Sequence, residues 1–342
     1  MASGKVIVGA GECGGRAALT LRDLGYDGAN PWETHANSGG DAETILNGWL
    51  LAHANEPARI REEHSETPYM TRRAMDFIAG AGDAPWCLHL SYIKPHWPYI
   101  VPAPYHAMFG PNDLLPVSRS DAERENPHPV YQAFQNFRVA RNFAREEVRA
   151  RVLPAYMGLI KQIDDQIGVL MHFLAERGLA DTTTVVFTSD HGDYLGDHWL
   201  GEKDLFHDCS VKVPLIIADP GLPAAHGTTC EALVEAIDLA PSFIEHFGGT
   251  PKNHILEGRS LLPWLRGERP AWRRQVFSEY DYSLSPTAAK LGVAPRDARL
   301  FMVADKRWKY IHAIGFRPML FDLANDPNEL HDLGADPAYE GE

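Results

Sequence analysis

Short apolar runs separated by polar turns predict where strands lie in this chain. Residues 184–188 are β-branched or aromatic, which is typical of a buried strand, and residues 213–218 form a second such run. The first run ends abruptly in small or polar residues, from Ser189 to Gly192. Ligands of open α/β sheets lie beyond the carboxyl ends of the strands. The polar residues after position 188 are therefore the first candidates for chemistry.

Apolar residues at helical spacing predict helices that accompany these strands. Residues 67–79 place Met70 and Ile78 on one side, which predicts an amphipathic helix that covers a sheet. Residues 130–149 also have a helical pattern. Residues 156–174 repeat apolar side chains as a core-packing helix does.

The last third of the chain changes character. Four short segments alternate apolar and polar residues and are separated by turns, around residues 276–282, 299–303, 308–313 and 318–323. They predict a small antiparallel sheet. The whole pattern predicts an α/β sheet with flanking helices and a C-terminal antiparallel subdomain, with domain boundaries at 1–28, 29–270 and 271–342.

The N-terminal segment carries a different signal. A short apolar strand, residues 5–8, is followed by Gly9-Ala-Gly-Glu-Cys-Gly14 and a helical pattern, and glycines at this spacing let the backbone approach a pyrophosphate. The amino-acid sequence of about residues 4–28 resembles the N-terminal segment of FAD-dependent ferredoxin reductases. No second strand with an acidic residue follows, and one strand with one helix cannot bind FAD. A flavin or nicotinamide oxidoreductase is therefore an alternative that rests on this segment alone.

Composition and charge narrow the function classes. With 342 residues, 44% of them hydrophobic, the chain can bury a sizeable core, and its net charge of −14 disfavours nucleic acid and anionic membranes as partners. Its apolar runs are shorter than the roughly 20 residues of a membrane span, and its first residues lack the pattern of a secretory signal, so we expect a cytoplasmic protein. The four cysteines are widely spaced, which favours reduced thiols over a disulfide framework or a zinc site.

Asp190 and His191, directly after the first predicted strand, are candidate metal ligands. A carboxylate beside an imidazole suits Mn²⁺, Zn²⁺ or Fe²⁺ better than Ca²⁺, although a site needs at least two further ligands and an ordinary turn could have the same sequence. Lys203, in a glycine-bounded loop just beyond, could neutralise the charge of an ester oxyanion. Asp197 and His198 of this loop suit hydrogen bonds that fix its shape.

Lys94 and His96 lie in a proline-rich loop. Residues 85–93 form a strand-like run that gives way to residues 94–104, whose prolines hold the chain extended. We therefore expect Lys94 and His96 near the carboxyl edge of the sheet, where a histidine can be functional or simply exposed.

Four motifs follow one another along the chain: Lys94-Pro-His-Trp-Pro98, Ile163-Asp-Asp-Gln-Ile-Gly168, Thr188-Ser-Asp-His-Gly192 with Lys203, and the tail at residues 320–333. Together they resemble the sulfatase family of the alkaline phosphatase superfamily, over about residues 29–342. Most sulfatases have Asn where this chain has His191, and the histidine points to the phosphonate monoester hydrolase branch.

The resemblance implies hydrolysis of phosphonate or phosphate monoesters and diesters, with sulfate esters as a secondary class. It implies a divalent metal and a small-molecule ester as partners, and a homo-oligomer is compatible with it. The site residues that it implies are Asp190 and His191 as metal ligands, His96 and Lys203 as catalytic residues, and Lys94 and His198 as substrate-binding residues.

Two parts of that family's machinery are not found in the sequence. One is a metal-binding Asp on the first strand, and the other is a Cys-x-Pro/Ala-x-Arg motif that matures to formylglycine. Cys13 lacks Pro or Ala at the third place, and Cys87, Cys209 and Cys230 do not fit either, so formylglycine cannot form at any of them. We therefore expect an N-terminally truncated sulfatase-like core that is weakly active or inactive. A non-catalytic remnant or assembly partner is a third hypothesis.

Overall fold

The computed structural model describes residues 6–7, 54, 56–58, 61–97 and 99–339. The strands are β1 (Val6–Ile7), β2 (Cys87–Leu88), β3 (Val185–Thr188), β4 (Leu215–Ala218), β5 (Val276–Asp281), β6 (Arg299–Ala304), β7 (Trp308–Ala313) and β8 (Met319–Asp322). The helices are α1 (Glu66–Ala81), α2 (Pro129–Gln135), α3 (Arg138–Phe143), α4 (Glu146–Glu176), α5 (Asp208–Val211), α6 (Leu239–His246), α7 (Leu262–Leu265) and α8 (Pro286–Leu291). None of the described helices is long and apolar enough to cross a membrane.

The chain divides into two compact units. Unit 1 draws on Met1–Pro116 and Asn142–Ala180, and unit 2 draws on Val117–Arg141 and Asp181–Glu342. This grouping differs from the domain boundaries expected near residues 28 and 270, which stay predictions. The segment Val117–Arg141, which contains α2, belongs to unit 2 because the apolar side chains of α2 lie in the same core as those of β6 and β7.

Unit 1 contains the predicted amphipathic helix. Helix α1 buries Met70, Ala74 and Ile78, and it packs against α4. Helix α4 begins ten residues before the predicted start at 156 and exposes two of the side chains that we expected to be buried, Ile160 and Met171. Strand β1 pairs in parallel with β2, and the run predicted at 85–93 forms only this two-residue strand. The rest of the reductase-like segment lies outside the described residues.

The first sheet of unit 2 corrects the prediction of two buried strands. Strands β3 and β4 pair antiparallel, with Val186 opposite Ile217. Phe187 is 40% exposed and Ile216 is 61% exposed. In the described part of the chain these two strands pair only with each other, so apolar side chains stay accessible on the pleat.

The second sheet of unit 2 confirms the predicted antiparallel meander. Its strands are ordered β5-β6-β7-β8, and every neighbouring pair is antiparallel. Leu300 and Ile311 are fully buried on one face, together with Val130 and Phe134 of α2. This alternation places the apolar core of unit 2 between α2 and the sheet. The helical pattern predicted at 130–149 is divided among α2, α3 and the start of α4.

Candidate active site

Asp190 and His191 follow β3 directly and adopt a compact turn. The Asp190 carboxylate accepts a hydrogen bond from the His191 backbone N–H at 2.9 Å, and Asp190 Oδ2 lies 3.4 Å from His191 Nε2. His191 Nδ1 donates to the carbonyl oxygen of Gly192 at 2.7 Å, because a carbonyl can only accept. Neutral His191 therefore has a lone pair on Nε2, next to a carboxylate oxygen. Two acceptors at this separation suit a shared cation.

Gly192 and Ser210 hold this turn against α5. The Gly192 N–H donates to the Ser210 carbonyl oxygen at 2.7 Å, and a Cβ on Gly192 would stand 1.9 Å from the Cys209 carbonyl oxygen. Only glycine permits this approach. The Ser210 hydroxyl donates to the carbonyl oxygen of Lys203 at 2.7 Å, and Ser210 is 1% exposed. One buried residue thus contacts the backbone on both sides of the loop.

Lys203 is paired with the carboxylate that precedes it in the chain. Its Nζ lies 3.2 Å from Glu202 Oε2. Burial raises the pKa of the next carboxyl along the chain, Asp204, and a hydrogen bond that the Tyr280 hydroxyl donates at 2.9 Å lowers it. Sequence reasoning missed Asp204, because a single carboxylate in a connecting segment carries no pattern.

The loop between these groups has an unusual backbone. Four of its residues other than glycine have positive φ angles: Leu195 at 46°, His198 at 53°, Trp199 at 60° and Glu202 at 66°. Side chains disfavour this left-handed region, so each such residue costs about 1–3 kcal/mol unless its surroundings dictate the conformation. The loop therefore needs strong external contacts.

His198 provides many of these contacts. Its Nδ1 lies 2.7 Å from Glu123 Oε1, its N–H donates to the Ser118 carbonyl oxygen at 2.8 Å, and its carbonyl oxygen accepts from Gln135 at 3.1 Å. The ring stacks on His207 with 3.6 Å between centroids, and its side chain is only 4% exposed. These contacts give His198 the loop-fixing task, while its binding to substrate stays a prediction.

A cluster of charged side chains lies next to His207, around the buried Lys309. Lys309 Nζ lies 2.6 Å from Glu329 Oε1 and 2.6 Å from Asp208 Oδ1. Glu329 also accepts the Asp208 N–H at 2.6 Å, which fixes the start of α5. Burial lowers the pKa of His207 well below its ordinary value of 6.5, and the charges of His198 and Lys309 add to this effect. His207 is therefore neutral in the folded chain.

The other predicted site residues, Lys94 and His96, belong to unit 1. Lys94 Nζ donates to the His96 carbonyl oxygen at 3.1 Å, and His96 Nδ1 donates to the Trp97 carbonyl oxygen at 2.7 Å. Burial lowers the pKa of Lys94 to about 8, against the opposing charge of Glu66. Burial in turn raises the pKa of Glu66. The loop thus contains an ammonium group that loses its proton near pH 8, next to an imidazole with a lone pair on Nε2.

Metal ligation is only partly accounted for. Among the described residues, no group of three or more His, Cys, Asp or Glu side chains is arranged to hold a metal ion. The geometry of Asp190 and His191 fits two positions of a metal shell. Burial raises the pKa of the Cys209 thiol, so that thiol stays protonated and is no nucleophile at neutral pH.

Two family profiles match the chain. The profile described as Sulfatase matches residues 20–249, which is more than half of the chain. A second, described as N-sulphoglucosamine sulphohydrolase, C-terminal, matches residues 196–341. The order of these matches agrees with the order of the four motifs.

Several relatives and solved structures are similar to the chain. The multifunctional alkaline phosphatase superfamily protein PehA of Trinickia caryophylli is 35% identical over 83% of this chain and 58% of its own. The phosphonate monoester hydrolase of Agrobacterium radiobacter has a TM-score of 0.82 and 30% identity, over 95% of this chain and 66% of its own. The enzyme SpPMH from Silicibacter pomeroyi gives a TM-score of 0.78 and 31% identity, over 93% of this chain and 66% of its own.

The matched relatives are longer than this chain. A choline-sulfatase of Rhizobium meliloti is 30% identical over 74% of this chain but only 47% of its own length. The chain therefore spans roughly half to two thirds of these relatives. These matches give no support to the reductase resemblance of residues 4–28.

Proposed function

The chain belongs to the sulfatase family, and from this premise we propose that it acts on phosphonate or phosphate monoesters or diesters, with sulfate esters as a secondary class. By family it is a hydrolase of the sulfatase and phosphonate monoester hydrolase type, with the α/β fold of that family. The observation that carries the proposal is the turn after β3, where the exposed Asp190 carboxylate lies 3.4 Å from His191 Nε2. A divalent cation bound between these two groups would attract the anionic oxygens of an ester.

Asp190 and His191 are proposed to hold one divalent cation. The lone pair on His191 Nε2 and the oxygens of Asp190 form a mixed donor set, which suits Mn²⁺, Zn²⁺ or Fe²⁺ better than Ca²⁺. Such an ion, when bound, would supply positive charge to an ester oxygen. Lys203 is proposed to neutralise a second ester oxygen, since Ser210 joins its backbone to the turn that contains Asp190 and His191.

By the family resemblance, we also propose Lys94 as a substrate-binding residue and His96 as a catalytic residue. Burial lowers the pKa of Lys94 to about 8, so its ammonium is charged below that pH and can bind an anionic oxygen. His96 donates Nδ1–H to a backbone carbonyl, so its Nε2 is the atom that can accept or carry a proton. We assign it to assisting the leaving group.

The rate of turnover is proposed to be low for this chain. None of its four cysteines lies in the formylglycine motif, and removing a covalent nucleophile lowers rates by orders of magnitude. We propose a cytoplasmic location, and a small-molecule ester rather than nucleic acid as partner. Ester binding is therefore a better test than turnover.

Metal titration with matched variants tests this proposal. We expect the purified chain to bind Mn²⁺ more tightly than Ca²⁺ by calorimetry, and to bind the monoester phenyl phosphate only when Mn²⁺ is present. The variant D190N should lose Mn²⁺ binding, whereas D164N, at a carboxylate that is similarly exposed on α4, should keep it.

A second pair of variants tests the donor set. Replacing the imidazole by an amide oxygen in H191N should retain binding but shift preference toward Ca²⁺, and H191A should abolish it. Mn²⁺ binding that is unchanged in both D190N and H191A would place the metal elsewhere and reject the proposed site.

A further inference from the structure

One residue, Ser210, connects the backbone of Lys203 to the candidate metal turn. Ser210 accepts the Gly192 N–H with its carbonyl oxygen and donates its hydroxyl to the Lys203 carbonyl oxygen, both at 2.7 Å. The two contacts lie on opposite sides of the ten residues between Gly192 and Lys203. A displacement of either contact changes the separation of His191 and Lys203.

Both contacts of Ser210 lie in a closely packed part of the structure, where neither water nor a larger side chain can replace them. Ser210 is 1% exposed, so water does not compete for its hydroxyl. Gly192 lies so close to the Cys209 carbonyl that a methyl group there would overlap it. The N–H of Ser210 itself donates to the His207 carbonyl at 2.9 Å, which fixes the residue in α5.

The Ser210 hydroxyl is a side-chain donor that contacts the backbone of Lys203 directly. Glu202, the preceding residue, has a φ angle of 66° and accepts the Tyr194 N–H at 2.9 Å. A residue in the left-handed region is strained unless neighbouring contacts hold it, so the backbone position of Lys203, which follows Glu202 directly, depends on such contacts. The hydrogen bond from the Ser210 hydroxyl to the Lys203 carbonyl oxygen is one of them.

We propose that Ser210 is a positioning residue, whose hydroxyl sets the place of the Lys203 ammonium relative to Asp190 and His191. This proposal deepens the proposed function and rests on it for the role of Lys203. Ser210 itself touches neither metal nor ester. It acts through the backbone of Lys203.

The position of the ammonium can be measured without any activity. Limited acetylation followed by peptide mass spectrometry gives the rate at Lys203, with the exposed Lys252 as an internal reference. In S210A, loss of one buried hydrogen bond should raise the relative rate at Lys203 roughly fivefold. S210C replaces the hydroxyl by a thiol of nearly the same size that is a weak hydrogen-bond donor, and it should also raise the relative acetylation rate at Lys203. This second variant keeps the test valid if S210A folds poorly. S210T, which restores the hydroxyl, should return the rate toward the wild-type value.

A buried serine away from the site is the control. Ser242 is 6% exposed, donates to the Asp238 carbonyl at 2.6 Å and accepts the Leu261 N–H at 2.8 Å. S242A should leave the relative rate at Lys203 unchanged. An unchanged rate in both S210A and S210C, or an equal rise in S242A, would overturn the positioning role.

Adding ligand separates this proposal from the proposed function. Mn²⁺ with phenyl phosphate should slow acetylation of Lys203 in the wild-type chain, and S210A should reduce this protection. If wild type shows no protection while S210A still raises the rate, the positioning role stands and the proposed function fails. If protection is equal in wild type and S210A, the function stands and the positioning role fails.

Discussion

The second sheet of unit 2 and the loop between Gly192 and Lys203 are held by different kinds of contact. The sheet buries apolar side chains such as Leu300 and Ile311, both 0% exposed. The loop is held by hydrogen bonds from Ser210 and by the pairing of His198 with Glu123. Apolar packing has no preferred direction, whereas hydrogen bonds weaken steeply with angle. We infer that the sheet supplies stability and the polar contacts supply the geometry of the site.

The largest effect should come from the apolar side of this comparison. Truncating Leu300 in L300A should lower the free energy of unfolding by about 2–5 kcal/mol, because it removes buried methyl groups and leaves a cavity. Urea titration measures this change. L284A, at a leucine that is 99% exposed, should stay within about 0.5 kcal/mol of wild type. A loss below 1 kcal/mol in L300A would contradict the assignment of stability to the sheet, since the deletion of a buried leucine costs about 2 kcal/mol or more.

A clash at the metal turn should damage geometry as well as stability. G192A places a methyl group against the Cys209 carbonyl oxygen, which should cost about 3 kcal/mol and abolish Mn²⁺ binding. G168A is the matched control, because nothing lies within 4 Å of a Cβ at this position in α4. Helix propensity should make G168A up to about 1 kcal/mol more stable. Mn²⁺ binding that survives in G192A would show that the turn tolerates displacement.

Removing the charge of Glu123 should loosen the loop locally. E123Q keeps the shape but weakens the contact to the His198 ring, at a cost of about 2 kcal/mol. Hydrogen exchange of the His198 N–H, which donates to Ser118, should become roughly 30-fold faster. The exposed Glu125 provides the control E125Q, in which exchange should not change. If exchange in β6 accelerates equally in E123Q, loop and sheet are one cooperative region and the comparison is wrong.

The smallest effect concerns pH and the stacked histidines. His207 is neutral in the folded chain, and its pKa lies well below 6.5. The unfolded chain therefore binds one more proton once the pH falls below 6.5, so folding loses about 1.4 kcal/mol between pH 7.5 and 5.5 through this residue. Urea titrations at both pH values should show a smaller difference for H207Q than for wild type. Equal differences would indicate that His207 is protonated in the folded chain.

Local patterns were enough to predict several elements and to place the candidate ligands Asp190 and His191 at a strand end, while the roles of these residues stay predictions. The alternation in the last third predicted β5 to β8, and helical spacing predicted α1. The motif after β3 predicted Asp190 and His191 at a strand end, and a family resemblance supplied the role of Lys203. Each of these signals lies within a few residues of sequence.

Contacts between distant residues could not be predicted in this way. Glu123 is 75 positions from His198, and Tyr280 is 76 positions from Asp204, so no period connects either pair. The burial of residues 184–188 was overestimated for a related reason. An apolar run indicates what a strand prefers, but the neighbouring strands decide what it buries.

The hydrogen bond from the Asp208 N–H to the buried Glu329 carboxylate joins α5 to the tail of the chain, which is synthesised much later. The Asp208 N–H at the start of α5 donates to the Glu329 carboxylate, which lies 121 residues further along the chain. While the ribosome is still making the last sheet, Ser210 already exists, but the helix that carries it lacks this partner. The candidate site can therefore reach its final form only after the tail has emerged, although the tail contributes no predicted site residue. A chain that stalled after residue 322 would contain every one of those residues and would still lack the contact that fixes α5.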